Sequence, residues 1–194
     1  MSATNRGGVR SEGDFYRTPR WCVEALLKEE SFDGVVLDPG CGDGSIALSL
    51  GVALPALRVV GVERNKSLAK LAECRGVSVF CGDFLNYAQE VAAHAPFDAA
   101  VGNPPYREAA LFARAALKCV RPGGRVCFLL RLNFLGSSRK RIDLVGSDSE
   151  LARVYVLSRR PSFTGNGRSD ACDYAFFVWV KGWPGSPATI KVLE

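Results

Sequence analysis

Two groups of residues in this 194-residue sequence have types and spacings that could do chemistry. The first is Asp38-Pro39-Gly40-Cys41-Gly42-Asp43-Gly44. Its glycines would let a backbone approach a ligand closely, although an ordinary tight turn has a similar composition. Two acids further along belong with it. Glu63 closes a short apolar run, where a carboxylate suits ribose hydroxyls. Asp83 with Phe84 could accept a hydrogen bond from an adenine amino group and pack a ring on the adenine face. The second group is Asn103-Pro104-Pro105-Tyr106. Each proline biases the residue before it toward an extended conformation. The Asn103 side chain and the Pro104 carbonyl can then be aimed as fixed hydrogen-bond acceptors beside the aromatic plate of Tyr106. A loop carrying Asp38 and Asp43 would repel the pyrophosphate of a dinucleotide unless a metal intervened. S-adenosylmethionine has no phosphate and carries a sulfonium and an ammonium, so it is the expected ligand in preference to NAD, with no metal.

These residues must be positioned by the elements around them. Five apolar runs end in turn clusters: Gly34 to Asp38, Leu57 to Glu63, Val77 to Phe80, Phe97 to Asn103 and Arg125 to Leu130. Val154 to Leu157 and Tyr174 to Val180 follow. Helical patterns lie between several of them. Asn65 to Arg75 puts Leu68, Leu71 and Ala72 on one face, and Glu108 to Val120 does so with Leu111, Phe112, Ala115 and Ala116. Thr18-Pro19 reads as an N-cap and first-turn proline opening a helix through Leu27. Alternating strands and helices predict an α/β fold with a doubly wound, mostly parallel sheet, the last strand inserted antiparallel. In such a sheet, ligands bind at the carboxyl ends of the strands, where both groups fall. Residues 1–13 read as a mobile tail, 14–183 as a single domain and 184–194 as an irregular C-terminal tail.

Composition narrows the function classes. The chain is 47% hydrophobic and 23% charged, which suits a folded domain and excludes a disordered or collagen-like chain. No apolar run is long enough to span a membrane, and the first residues lack the apolar stretch of a secretory signal. Seven scattered cysteines without a Cys-x-x-Cys pair point to a reducing, cytoplasmic setting. The single histidine, His94, sits in a polar turn, so neither a zinc site nor a Ser-His pair is expected. The formal charge of +5 is compatible with a polyanionic partner.

Taken in order, Asp38-Pro39-x-Cys41-Gly42-x-Gly44, Glu63, Asp83-Phe84 and Asn103-Pro104-Pro105-Tyr106 resemble the motifs of the N6-adenine DNA methyltransferases. Phe15-Tyr16-Arg17-Thr18-Pro19 resembles that family's N-terminal cofactor motif, and Arg160 to Gly165 its base-pocket loop. The resemblance runs roughly from Phe15 to Gly182. It implies a Rossmann-like, seven-stranded class I methyltransferase fold and S-adenosylmethionine held by Thr18, Pro19, Asp38, Gly40, Cys41, Gly42, Glu63, Asp83, Phe84 and Asn103. It also implies catalysis by Asn103, Pro104, Pro105 and Tyr106 on an adenine flipped out of the duplex. Asn103 Oδ1 and the Pro104 carbonyl would take the two amino hydrogens, and Tyr106 would stack on the base. Phe163 is the candidate for a second base contact. Arg139, Lys140, Arg141, Arg159, Arg160 and Arg168 are candidates for the nucleic-acid backbone. Many relatives carry a separate target-recognition domain. Here only Leu132 to Glu150 could be an insertion, so sequence recognition would be relaxed or come from short loops, a partner or a second copy of the chain. Adenine in RNA, and the glutamine of a release factor, stay open as acceptors because the tetrapeptide serves those reactions too. A cofactor-binding module without activity would predict a damaged tetrapeptide, and this one is intact.

Overall fold

The computed structural model describes residues 16–93, 97–136, 138–163, 169–185 and 187–194. The expected tail at 1–13, His94 and Arg168 lie outside the described residues.

The elements run α1 (Arg20–Leu27), β1 (Val35–Pro39), α2 (Ser45–Ala53), β2 (Arg58–Glu63), α3 (Lys66–Cys74), β3 (Ser78–Cys81), α4 (Phe84–Val91), β4 (Phe97–Gly102) and α5 (Ala109–Cys119). Then come β5 (Val120–Arg131), two short 3-10 turns, α6 (Ile142–Val145), β6 (Leu151–Leu157), β7 (Tyr174–Val180) and β8 (Thr189–Leu193). They build one sheet in the order β3-β2-β1-β4-β5-β7-β6-β8. β1 to β5 pair in parallel, β7 is antiparallel to both β5 and β6, and β8 runs parallel to β6. The sheet therefore has eight strands where seven were expected. The extra one, β8, comes from the segment read as an irregular tail. Its register partners, from Arg153↔Thr189 to Leu157↔Leu193, use the edge that β6 leaves open.

Period-two alternation sends the strand side chains into two apolar layers. Phe128, Leu130, Phe177 and Trp179 pack with Phe84 of α4, with Phe112 and Ala116 of α5, and with Leu144 of α6. Cys127, Leu129, Phe176 and Val178 pack on the other face with Leu26 of α1 and with Ile46 and Leu50 of α2. Helices thus cover both faces, as a largely parallel sheet requires. The helix faces differ in detail from the expected ones. α5 buries Ala109, Phe112, Ala113, Ala116 and Cys119 while Leu111 is 52% exposed, and α3 buries Ala69 and Ala72 while Leu71 is 42% exposed.

α1 begins at Arg20, with Pro19 at the cap position and no side-chain cap. Thr18 is not the cap that its sequence context suggested. Its hydroxyl is engaged elsewhere, as the site shows. The working caps are Asn65, whose Oδ1 accepts from the Ser67 and Leu68 amides, and Asp83, whose Oδ1 accepts from those of Leu85 and Asn86. Strand order reverses between β1 and β4, which opens a crevice at the carboxyl edge of the sheet.

Candidate active site

The loop after β1 shapes the floor of that crevice. Gly40, Gly42 and Gly44 have φ of 71°, 56° and 80°, left-handed values that disfavour any residue with a Cβ. Glu63, at the end of β2, clamps the loop: the Gly42 amide donates to its Oε2 at 2.9 Å and the Asn65 amide to its Oε1 at 2.8 Å. Each carboxylate oxygen keeps a lone pair for a further donor. Asp43 is neutralised by Arg17 at 3.1 Å and by Arg75, so the loop is less anionic than its composition suggests.

Above this floor lies a cavity of about 310 Å³. Of the expected cofactor residues, Thr18, Gly40, Cys41, Glu63, Asp83, Phe84 and Asn103 line it, joined by Pro105, Asn65 and Phe112. Asp38, Pro19 and Gly42 do not. Pro19 borders a neighbouring groove of about 390 Å³. Gly42 spends its amide on Glu63. Asp38 is fully buried beneath the loop, and its two oxygens have no hydrogen-bond partner among the described residues. The Ala47 amide lies close enough to favour its charged form without completing a bond. Burial first, and the Glu63 charge second, push its carboxyl up to about 8.

The tetrapeptide after β4 reaches the same cavity through Asn103. The Asn103 amide NH₂ donates to Thr18 Oγ1 at 3.1 Å and to the Tyr16 carbonyl at 3.4 Å. Its Oδ1 is buried without a partner among the described residues. Next to it is an aromatic box. Tyr16 stacks on Tyr106 with centroids 5.9 Å apart and planes at 21°, and meets Phe163 edge-on at 5.7 Å. Phe163, 8% exposed, also packs edge-on against Tyr174 at 5.1 Å. The Arg131 guanidinium lies 4.8 Å from the Tyr106 ring centroid. Pro104 is buried, and the Tyr106 hydroxyl has no partner among the described residues.

Arg131 and Tyr174 were missed in the sequence. Both were within reach of the strand-end argument. Arg131 ends β5 at the carboxyl edge, and antiparallel β7 brings its first residue, Tyr174, opposite it in register. The expected nucleic-acid cations split. Arg139 and Lys140 are exposed and make no ion pair among the described residues. Arg141 instead folds inward, its guanidinium 4.8 Å from the Phe134 ring centroid and donating to the Gly136 carbonyl. Arg160 pairs with Asp173 at 2.8 Å, and Arg159 lies 4.2 Å from the Trp21 ring centroid. Among the described residues, no group of three His, Cys, Asp or Glu could hold a metal, and no helix is long and apolar enough to cross a membrane.

Residues 1–146, three quarters of the sequence, match the methyltransferase small domain family. The chain belongs to that family. Among curated proteins, this methyltransferase small domain is 36% identical over 90 residues to the release factor glutamine methyltransferase of Geobacter sulfurreducens, covering 43% of the chain and 30% of that protein. It is 32% identical over 102 residues to the type I restriction enzyme MjaVIII methylase subunit of Methanocaldococcus jannaschii, covering 43% of the chain and 18% of that protein. The matches thus span less than a third of either relative. Among solved structures, a class I S-adenosylmethionine-dependent methyltransferase of Listeria monocytogenes superposes with a TM-score of 0.72 at 15% identity, over 96% of this chain and 68% of that one. The M protein of the type I restriction enzyme EcoKI gives 0.66 at 18% identity, over 90% and 47%. Those two likenesses establish the fold as that of class I methyltransferases.

The cofactor of the family and fold is S-adenosylmethionine, and the residues present fit it. Glu63 and Asp83 offer acceptors, and Phe84 and Phe112 offer apolar faces.

Proposed function

We propose that this S-adenosylmethionine-dependent methyltransferase acts on the N6 amino group of adenine in DNA, presented as a base turned out of the duplex. The observation that carries the reading is the aromatic box of Tyr16, Tyr106, Phe163 and Tyr174 set against the unpartnered Asn103 Oδ1. A planar, amine-bearing acceptor suits both features at once.

An adenine amino group is a weak nucleophile because its lone pair is delocalised into the ring. Asn103 Oδ1 takes one amino hydrogen and the Pro104 carbonyl takes the other. Holding both hydrogens on one side favours a pyramidal nitrogen whose lone pair points away from the acceptors. The bound cofactor supplies an electrophilic methyl group. The protein contributes orientation and directed dipoles, and no strong base is needed, because the nitrogen becomes cationic and acidic as it gains the methyl group and then loses one of its two hydrogens to solvent as a proton. Tyr106 supplies a stacking face that offsets the loss of base stacking in the duplex. Arg139 and Lys140 offer cations for the phosphate backbone.

Similarity to the Geobacter glutamine methyltransferase favours a second reading, in which a protein glutamine amide meets the same two acceptors. Labelled methyl transfer to unmethylated duplex DNA, RNA and release-factor protein, followed by nucleoside and amino-acid analysis, separates the two. Label in N6-methyladenine of DNA is the expected result, and label confined to glutamine overturns it. Asn103→Ala should then slow single turnover by at least ~100-fold, the scale for losing one oriented polar group at a reacting centre. The loss should persist when the cofactor is saturating, and melting should drop by only a few degrees.

A further inference from the structure

The Asn103 amide has an NH₂ end and an oxygen end that fill nearly the same space. Only one orientation presents Oδ1 to an acceptor amine, and the strap ahead of α1 selects it. The Tyr16 carbonyl can only accept, so the amide end facing it at 3.4 Å must be the NH₂. Thr18 Oγ1 takes another hydrogen of that NH₂ at the shorter distance of 3.1 Å. Both contacts fall on one end of the amide, and the other end, Oδ1, is left buried and unpartnered among the described residues. Thr18 is 4% exposed, so its hydroxyl is largely shielded from bulk solvent. The strap is itself anchored, because Arg17 pairs at 3.1 Å with Asp43, which Arg75 also holds. Thr18 borders both the cofactor cavity and the groove beside it.

We propose that Thr18 is a positioning residue, whose hydroxyl oxygen fixes the Asn103 amide with Oδ1 toward the acceptor amine. This role is separate from any contact Thr18 makes with the cofactor, and it rests on the reading of Asn103 given above. It assigns a reason for a threonine here: valine has the same shape but no acceptor, whereas serine keeps the acceptor and loses only a methyl.

The test compares Thr18→Val and Thr18→Ser in the full chain, with Thr18→Ala as the substitute should valine unfold it. The first readout needs no acceptor. The Asn103 side-chain amide signal in ¹⁵N nuclear magnetic resonance is assigned by its disappearance in Asn103→Asp. Thr18→Val should shift it and speed its exchange with water, and Thr18→Ser should leave it near the wild-type position. The second readout is single-turnover methylation at saturating cofactor and acceptor. Thr18→Val should slow the step about tenfold or more with cofactor and acceptor both saturating, a loss that any weaker binding of S-adenosylhomocysteine does not account for, while the acceptor KM stays within about twofold. Thr18→Ser should recover most of the rate. An unmoved amide signal, a wild-type rate in Thr18→Val, or a loss confined to cofactor affinity would each overturn the proposal. If wild-type protein methylates none of adenine DNA, adenine RNA and release-factor glutamine, the acceptor assignment falls, and the amide signal alone decides the role of Thr18.

Discussion

Asp38 shows how a single side chain can sit at odds with its surroundings. It is fully buried and its two oxygens are unpartnered among the described residues. Its carboxyl titrates near 8 in the folded chain, chiefly through burial, against 3.8 when solvated. Between those values the folded state holds a proton that the unfolded state has released. The contribution to stability is therefore fully present below about pH 4 and is lost as pH rises toward 8. Asp38→Asn removes the ionisable group and keeps the shape. It should melt above wild type at pH 8, with a gain on the order of a few kcal/mol, and the two curves should converge near pH 4. Thermal melts across that range check it. Asp38 was expected to touch the cofactor, and it does not line the cavity. Strand alternation gives the reason: it shares the face of Val36, whose side chain packs among α1 and α2. Gly40, Glu63 and Asn103 do line the cavity, and their place there was legible because each sits where a strand ends. The Tyr106 hydroxyl is equally unpartnered, so Tyr106→Phe should melt no lower than wild type and keep its rate within a few-fold. Tyr106→Ala should lose the stacking, worth about 1–3 kcal/mol per base. Single-turnover rates beside melting curves separate the ring from the hydroxyl.

At the scale of elements, the basic turn after β5 divides its labour. Arg139 and Lys140 face solvent, while Arg141 covers Phe134 and caps carbonyls. Replacing Arg139 and Lys140 together with alanine should lower the salt slope of DNA binding by roughly 2, since each phosphate contact contributes about 0.9. Arg141→Ala should instead lower the melting temperature and leave that slope nearly unchanged. Filter binding across salt concentrations, with a melt of each variant, tests both. Sequence showed the cluster but not which members turn inward, because that depends on where Phe134 packs. The helix faces were misread for a related reason. The expected faces rightly held Ala72, Phe112 and Ala116, but weighting large apolar residues also drew in the exposed Leu71 and Leu111 and passed over the buried Ala69, Ala109 and Ala113.

Across the whole molecule, alternation of strands and helices was enough to foresee a doubly wound sheet, since each helix was flanked by glycine or proline punctuation. β8 was not legible, because Gly182, Pro184, Gly185 and Pro187 precede it and its residues are mostly exposed. Strand order carries a consequence for synthesis. β7 lies between β5 and β6 and, among the described residues, is the one strand that runs against the rest of the sheet. As the chain leaves the ribosome, β1 to β5 can assemble early, but the outer edge of β5 then stays bare through about 50 more residues. At ~5–20 residues per second that is several seconds. The waiting strand carries Cys127, Phe128 and Leu129, apolar on both faces, which makes it a template for another nascent chain. Ribosome-arrested chains that expose residue 160 should therefore be protease-sensitive and prone to pelleting, and resistance should appear only once Val180 has cleared the exit tunnel. Protection that is complete at the shorter length would mean that the first five strands are stable without their late neighbour.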